Sequence, residues 1–517
     1  MHVLQELLSI AQGPYALPIL AISLVTYLVV STIITYRRLS HFPGPFLASF
    51  SPLFMSKVWF SGHHADGYSR LNQQYQSALV RIGPTDLITD DPAIIRHMNG
   101  ARSAWGRSTW YRAMTFDPRG GSLFDEPDTK THDLFKARLS SGYSGRDNPG
   151  LESDIDEVIG TLIRYIKSRY ISDDERGVLK KMDLAKMMQF FTLDVITRIA
   201  YGKEFGWLET ESDLFGWIST IRKAAPVNAL MAEHPLMRKM FMSEWFLQWF
   251  GPKHSDADGM GRVMGVAREI VATRFGEKAE GKDDRKDMLG SFVRHGIEQR
   301  ACEVEMLFLI SAGSDTTTVP IRSTMFHLAT SKKAYVRLQA EIDRAVREGK
   351  ISSPVRAEEG KQLEYLQACV YEGLRMQPPF SGLLMKSPPT GGDSINGMFI
   401  PEGTRVGHNV GGLMRRTDVF GDDADMFRPE RWLNVTPAKK LEMQQVAEMV
   451  FGYGRWACLG KPVALMELTK VFVEFFRRFD IQLVEPKNPW HEYNVNISFQ
   501  SDLWVKITER FPEGEKA

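Results

Sequence analysis

The sequence predicts a mainly α-helical protein with small β-sheets, preceded by a single N-terminal transmembrane helix. Apolar residues recur at helical spacing over long stretches, whereas strand-like segments are short. Near the N-terminus, residues 16–35 include no charged side chain. The whole chain has 43% hydrophobic and 25% charged residues, which is typical of a globular protein with a large core.

Charge and cysteine content exclude several classes of protein. The 517 residues include 64 Lys and Arg against 63 Asp and Glu, a net charge of +1. This balance of charge produces no overall basic field, so the composition gives no sign of a nucleic-acid partner. Cys302, Cys369 and Cys458 cannot all pair, and so few cysteines in so long a chain indicate a reducing compartment. A disordered, collagen-like or disulfide-stapled chain is excluded.

The uncharged segment 16–35 has the length of a membrane span. As a helix it would extend about 30 Å, the thickness of a bilayer core. Arg37 and Arg38 follow at once and no Lys or Arg precedes it, so the positive-inside rule places the rest of the chain in the cytosol. A cleaved signal peptide is the alternative, but its basic residues would come before the apolar segment. We predict a short luminal N-terminus (1–14), a transmembrane anchor (15–36) and a basic, proline-containing hinge (37–45).

The rest of the chain, 46–517, shows no repeat and no linker, which favours one domain. Helices are predicted at 151–169, 184–200, 257–275, 301–330, 334–348 and 463–479. Strands are predicted at 79–82, 86–89, 404–407 and 481–484.

The strongest chemical motif is Phe451-Gly452-Tyr453-Gly454-Arg455-Trp456-Ala457-Cys458-Leu459-Gly460. Its glycines permit tight turns and close approach of the backbone to a flat ligand. Cys458 precedes a predicted helix, whose N-terminal N–H groups are expected to lower the pKa of the thiol. A thiolate there can be the axial ligand of haem iron. The alternatives are a buried free cysteine and a catalytic nucleophile with a nearby base.

Through this motif the chain resembles the cytochrome P450 family, and with the motifs below the resemblance extends from Pro43 to the C-terminus. It implies the cytochrome P450 fold, haem b (iron protoporphyrin IX) as cofactor and Cys458 as the iron ligand. Phe451, Gly452 and Gly460 match the haem-binding loop of the family. Family members usually have an arginine two residues before the cysteine, bound to a haem propionate. Trp456 stands there in this chain and Arg455 one residue earlier, so both are candidates for that contact.

Glu372 and Arg375 match a glutamate–arginine pair of the family, three residues apart on one helix face. The resemblance implies that they join Arg431, in Phe427-Arg428-Pro429-Glu430-Arg431-Trp432. Their implied role is a structural brace for the cysteine loop.

The segment Ala312-Gly313-Ser314-Asp315-Thr316-Thr317 interrupts a long apolar helical pattern with poor helix formers. It resembles the oxygen-activating segment of the family. The resemblance implies that Thr316 holds dioxygen and a water by hydrogen bonds while Asp315 relays protons inward. The alternative is a helix kink with a solvent-facing aspartate. Pro320 lacks the N–H that would bond the Thr316 carbonyl, so we predict an opened helix there.

Further haem contacts are implied at basic residues. His132 and Lys136 lie four apart on one face of a short helical segment, where the family places two residues on the propionates. Lys386 stands where the family often has another propionate-binding arginine. An ordinary exposed basic face is the alternative for the first two.

The resemblance places substrate-facing segments at 105–124, before Ala312 and at 380–385. Candidate substrate contacts are Met114, Phe116, Phe308, Phe380, Leu383 and Leu384, each of which could instead be packing core. This apolar set favours a bulky hydrophobic substrate.

No nucleotide-binding motif is evident, so the resemblance implies NADPH–cytochrome P450 reductase as the electron donor, with NADPH used only indirectly. The predicted activity is that of a haem-thiolate monooxygenase, which hydroxylates, epoxidises or otherwise oxidises a hydrophobic small molecule with O₂. The predicted location is the endoplasmic reticulum membrane. The motifs look like those of filamentous-fungal enzymes of the pisatin demethylase-like group, which often tailor terpenoids, polyketides and indole alkaloids. A P450-fold isomerase or dehydratase and a non-catalytic, membrane-anchored haem-binding protein are the alternatives.

Overall fold

A computed structural model describes residues 16–118, 120–275 and 285–511. The predicted luminal segment 1–14, the first anchor residue and the last residues, 512–517, lie outside these ranges. The described chain is mainly helical with small sheets, as predicted. Predicted segments 151–169 and 86–89 have the predicted bounds, and the others differ at their ends by a few residues.

The helices are α1 (Ala16–Arg38), α2 (Leu53–Ser61), α3 (His64–Ser69), α4 (Leu71–Gln74), α5 (Pro92–Asn99), α6 (Thr129–Tyr143), α7 (Leu151–Arg169), α8 (Leu184–Tyr201), α9 (Trp207–Thr210), α10 (Trp217–Glu233), α11 (Pro235–Phe241), α12 (Glu244–Phe250), α13 (Gly259–Ala272), α14 (Met288–Arg294), α15 (Gln299–Thr330), α16 (Lys332–Arg347), α17 (Ala357–Gly360), α18 (Glu364–Met376), α19 (Val410–Leu413), α20 (Thr417–Phe420), α21 (Pro437–Ala447) and α22 (Lys461–Phe476). Short 3₁₀ turns connect several of them.

The strands are β1 (Val80–Gly83), β2 (Asp86–Thr89), β3 (Gly106–Arg107), β4 (Lys181–Asp183), β5 (Lys386–Ser387), β6 (Asp393–Ile395), β7 (Met398–Ile400), β8 (Arg405–His408), β9 (Phe479–Leu483), β10 (His491–Val495), β11 (Ile497–Ser501) and β12 (Trp504–Glu509). One sheet has the order β1-β2-β8-β5-β3, with β2 and β8 parallel. Its β3–β5 edge pairs Arg107 with Lys386, which places two basic residues side by side. The smaller sheets are β4-β12-β9, β10-β11 and β6-β7.

Helix α1 lies outside the core. Its segment Leu17–Arg38 has a mean hydropathy of 2.3 and is 0% buried, and among the described helices it alone is long and apolar enough to cross a membrane. Arg81 in β1 fixes the end of this helix, because its guanidinium donates to the carbonyls of Thr35 and Tyr36, each at 3.2 Å. The hinge residue Pro43 accepts a hydrogen bond from the Arg81 N–H at 2.8 Å. The hinge is therefore packed against the sheet.

Helix α15 runs through the centre of the body and packs against α8, α13 and α18. The prediction of an opened helix at Pro320 is wrong, because α15 continues as an α-helix from Gln299 to Thr330. A proline removes only one backbone hydrogen bond, and tertiary packing supplies most of the stability of a buried helix. The segment does contain altered bonding, since the Thr316 hydroxyl donates to the Ala312 carbonyl at 2.6 Å.

Candidate active site

The cysteine loop precedes α22 and requires two of its glycines. Gly452 has φ +76°, and a Cβ on it would lie 2.8 Å from the Trp456 carbonyl oxygen. Gly454 has φ +56°, and its Cβ would lie 2.3 Å from the Asn99 carbonyl oxygen. The Cys458 N–H donates to the Phe451 carbonyl at 2.7 Å and closes the loop. The loop thus presents Cys458 on the wall of a cavity.

Cys458 is exposed to the cavity, but the protein around it desolvates the thiolate, and this raises the pKa of the thiol. The N–H groups of Gly460 and Lys461 and the Lys136 ammonium lower that pKa, as expected of a helix N-terminus, without reversing the shift. Helix position alone therefore does not produce a low-pKa thiol, because desolvation of the thiolate outweighs it. A bound metal cation would supply the missing positive charge, because a thiol that coordinates a metal is deprotonated.

The cavity has a volume of about 300 Å³ and joins Cys458 to the central helix. Predicted site residues on its wall are Cys458, Phe451, Gly452, Gly460, Trp456, His132, Lys386 and Thr316, together with Met114, Phe116, Phe308, Phe380 and Leu384. Of the predicted catalytic, haem and substrate contacts, Leu383, Lys136, Arg455 and Asp315 are not on the wall.

Leu383 is a correction. Its side chain is 1% exposed and lies in a core cluster with Met385, and its carbonyl accepts from the His408 N–H at 2.7 Å, which holds it against β8. Leu384, between Leu383 and Met385, lines the cavity and has φ +44°. This left-handed backbone at a leucine costs about 1–2 kcal/mol and is a feature concentrated at ligand sites.

One end of the cavity carries buried basic groups around Trp456. The Lys386 ammonium lies 4.0 Å from the centre of the Trp456 ring, and the Arg107 guanidinium lies 4.5 Å from it. Lys386 Nζ, Arg107 Nε and Trp456 Nε1 are buried and have no hydrogen-bond partner among the residues that the structure describes. Burial, with Arg107 and Lys136 nearby, holds the pKa of Lys386 well below its usual value. Three unsatisfied donors beside concentrated positive charge fit the propionate groups of haem.

His132 lies at the same end. It is 1% exposed, its ring centre is 4.4 Å from that of Trp456, and its Nδ1 bonds Asp133 at 3.0 Å. Burial, with Arg107 close by, lowers the pKa of His132 to about 4. His132 is therefore a neutral imidazole on the wall, and the alternative of an exposed basic face does not apply to it.

Lys136 and Arg455 are placed differently from the prediction. Lys136 Nζ donates to the carbonyls of Arg455 and Ala457, both at 2.7 Å, so it fixes the cysteine loop. Arg455 turns away from the cavity, donating to the Ala101 carbonyl at 2.7 Å and pairing with Asp133 at 3.1 Å. The 3₁₀ turn Gly454–Trp456 explains this difference, because it directs successive side chains to different sides.

Thr316 and Asp315 face different directions on α15. Thr316 lines the cavity. Asp315 is 6% exposed, lies behind the wall, and accepts hydrogen bonds from Gln189 Nε2 and from Ser311 Oγ at 2.9 Å. Burial raises the pKa of Asp315. The alternative of a solvent-facing aspartate is wrong.

Glu372 is the centre of a buried cluster that joins α18 to the 3₁₀ turn Pro429–Trp432. Glu372 accepts from Arg375 at 2.7 and 2.9 Å, from Arg431 Nε at 2.9 Å and from Trp432 Nε1 at 2.9 Å. Burial raises the pKa of Glu372, but the hydrogen bonds and charges of the two arginines outweigh it, so the pKa is lowered. The three side chains predicted to form a brace are thus in contact.

Arg107 and Glu305 are among the cavity residues that were not predicted. Arg107 has no local motif, and its place follows from the β3–β5 pairing. Glu305 lines the cavity and accepts from the Leu123 N–H at 2.7 Å, and burial raises its pKa to about 7. An acidic residue inside the apolar pattern of α15 was the sequence signal for Glu305.

The body is helical, a cysteine lies at the N-terminus of a helix, and the buried basic groups around Trp456 lie beside an apolar cavity. Together these features define a haem-thiolate protein. The family model of cytochrome P450 matches residues 45–502. The cytochrome P450 monooxygenase ABA1 of Pyricularia oryzae is 46% identical over 497 residues, 95% of this chain and 96% of the relative. The monooxygenase aba1 of Botryotinia fuckeliana is 44% identical over 468 residues, covering 90% and 91%. The monooxygenase abl1 of Leptosphaeria maculans is 37% identical over 472 residues, covering 90% and 82%.

The chain belongs to the cytochrome P450 family. It is a haem-thiolate monooxygenase that acts on a small molecule with O₂ and takes its electrons from a redox partner. Its apolar helix α1 fits the membrane anchoring of eukaryotic members.

Proposed function

We propose that this enzyme oxidises a bulky hydrophobic small molecule in fungal secondary metabolism, by hydroxylation, epoxidation or a related insertion of oxygen. The observation that carries the proposal is the lining of the cavity. Phe116, Phe308, Phe380 and Leu384 all contribute apolar surface to it, together with Met114. Apolar walls with few polar groups favour burial of apolar ligand surface.

The haem contacts are assigned to the residues whose geometry fits them. Cys458 would ligate the iron, and Phe451, Gly452 and Gly460 shape the loop around it. Lys386, Arg107, Trp456 and His132 would hold the propionates. Haem held by these residues would supply cleavage of the O–O bond and transfer of one oxygen atom, favoured by the thiolate ligand.

The proton chemistry is assigned to α15. Thr316 offers a hydroxyl at the cavity wall. Its single O–H donates to the Ala312 carbonyl at 2.6 Å, so its oxygen can accept from a water beside it, and rotation of the hydroxyl away from Ala312 would let it donate instead. Asp315, behind the wall, receives protons from the protein interior and passes them toward Thr316 through water. An isomerase or a dehydratase does not activate dioxygen, so it would not need Asp315 and Thr316 to deliver protons.

The membrane setting follows from helix α1 and the basic residues after it. We assign a single-pass anchor in the endoplasmic reticulum, with the catalytic domain in the cytosol. NADPH–cytochrome P450 reductase is the proposed electron donor, docking near the cysteine loop, where Lys461 is partly exposed.

Turnover with isotopically labelled dioxygen tests the proposal. Microsomes containing the enzyme and the reductase are supplied with NADPH and a panel of hydrophobic terpenoids, polyketides and indoles. We expect a product that carries one labelled oxygen atom and depends on NADPH. A rearranged product without label would favour an isomerase. Absence of any substrate-dependent NADPH oxidation across the panel would favour a non-catalytic haem-binding protein.

A further inference from the structure

We propose that Gln189, in α8, is a positioning residue that fixes the orientation of Asp315 and couples it to the buried guanidinium of Arg322. No motif in the sequence marks Gln189. The inference rests on the proposed proton-relay role of Asp315 and deepens it.

The bonding of Gln189 determines which way its amide points. Arg322 Nη2 donates to Gln189 Oε1 at 2.9 Å, and Gln189 Nε2 donates to Asp315 Oδ1. A guanidinium can only donate, so Arg322 holds the amide oxygen toward itself and directs the amide N–H groups to Asp315. Gln189 is 5% exposed and Arg322 2% exposed, so water does not compete for these bonds.

Arg322 is itself fixed to α8. Its Nε donates to the Ala185 carbonyl at 2.8 Å, and Nη2 donates to the same oxygen. Burial lowers the pKa of Arg322 to about 9, with Arg222 acting in the same direction and Asp183 and Asp315 opposing. The cation is thus held one amide away from Asp315, and no ion pair between Arg322 and Asp315 is formed in the described structure.

Both carboxylate oxygens of Asp315 are acceptors in this arrangement. Gln189 occupies Oδ1, and Ser311 Oγ donates to Oδ2 at 2.9 Å. The charged groups that act on Asp315 are Arg322 on its own helix and Arg222 from α10. Loss of the Gln189 bond leaves one oxygen without its donor in a buried site, which favours the protonated acid and releases the side chain to rotate.

The first measurement is the pH titration of the Asp315 carboxyl by infrared difference spectroscopy on the purified holoenzyme, with Asp315→Asn used to assign the band. In Gln189→Met, which preserves side-chain size, we expect the midpoint to move upward by about one pH unit, the equivalent of one hydrogen bond to a charged group. Thr192→Val is the matched control. Thr192 Oγ1 bonds Thr318 Oγ1 at 2.6 Å across the same α8–α15 contact, but it is not bonded to the Asp315 side chain.

The second measurement is coupling, the product formed per NADPH oxidised. Gln189→Met should lower coupling about tenfold with KM little changed, while Thr192→Val retains it. Gln189→Glu, which preserves the Arg322 bond but places a second carboxyl beside Asp315, should raise the midpoint further because both acids cannot ionise there.

The possible results distinguish a failure of the positioning role of Gln189 from a failure of the proton relay through Asp315. If Asp315→Asn lowers coupling but Gln189→Met changes neither coupling nor the titration, Gln189 has no positioning role and the relay itself stands. If Asp315→Asn leaves coupling unchanged, the relay role fails and this inference fails with it. A Thr192→Val variant as impaired as Gln189→Met would assign the effect to general loosening of the helix contact and overturn the inference.

Discussion

At the scale of single residues, the Thr316 hydroxyl is the group that connects the cavity to the proton relay. We expect Thr316→Ala to lower product per NADPH by about tenfold or more, because protons are then delivered without the positioned donor. NADPH oxidation should continue, with reduced oxygen species in place of product. The measurement is simultaneous assay of NADPH, product and hydrogen peroxide.

Thr330→Ala is the control for this change. Thr330 lies on the same helix and its hydroxyl bonds the Phe326 carbonyl at 3.0 Å in the same way, but it is exposed. Its removal should leave coupling unaltered. Equal coupling in wild type and Thr316→Ala would contradict the assignment of Thr316.

Sequence alone could find residues whose neighbours are local. Cys458 and the Glu372–Arg375 pair were located because a loop or one helix turn sets their spacing. Arg107 was missed because only strand pairing places it beside Lys386. Arg455 was misplaced because a short 3₁₀ turn decides which side chain faces inward.

At the scale of elements, long helices were predictable because their apolar periodicity extends over many residues. The ends of the helices were less predictable. For example, a helix was predicted to continue to residue 479, but α22 ends at Phe476 and β9 begins at Phe479. The effect of Pro320 was wrongly predicted, since a local preference for opening is outweighed when helices pack on both sides.

The Glu372 cluster joins two elements, and its removal should weaken the body. We expect Glu372→Gln to lower the free energy of unfolding by about 3 kcal/mol, because two buried arginines lose their counter-charge. The free energy of unfolding is measured from the loss of haem absorbance during a urea titration. Glu358→Gln, in an exposed pair with Lys361, should cost less than about 1 kcal/mol, and equal effects of the two variants would contradict the brace.

The same cluster predicts a pH dependence. The pKa of Glu372 is lower in the folded protein than in the unfolded chain, so its contribution to stability is complete above the unfolded pKa of about 4.3. That contribution is lost as pH falls through the folded value. Wild type should therefore lose more stability than Glu372→Gln on acidification below that range, and parallel curves would refute this.

At the scale of the whole molecule, α1 is separable from the body. Deletion of residues 1–34 retains the carbonyls of Thr35 and Tyr36 that Arg81 binds. The shortened protein should leave carbonate-washed membranes while its haem spectrum is retained, because α1 is 0% buried. Full-length protein treated in parallel is the control. Persistence of the deletion variant in the washed membrane would contradict the anchor.

The proposed activity requires Cys458 to be the thiolate ligand of haem iron. The CO-difference spectrum of reduced membranes tests it most directly, for wild type, Cys458→Ala and the control Cys369→Ala, whose cysteine is fully buried in the core. We predict the red-shifted Soret band characteristic of thiolate ligation in wild type and Cys369→Ala, and its loss in Cys458→Ala. The same band in Cys458→Ala, or none in folded wild type, would show that Cys458 is not the thiolate ligand.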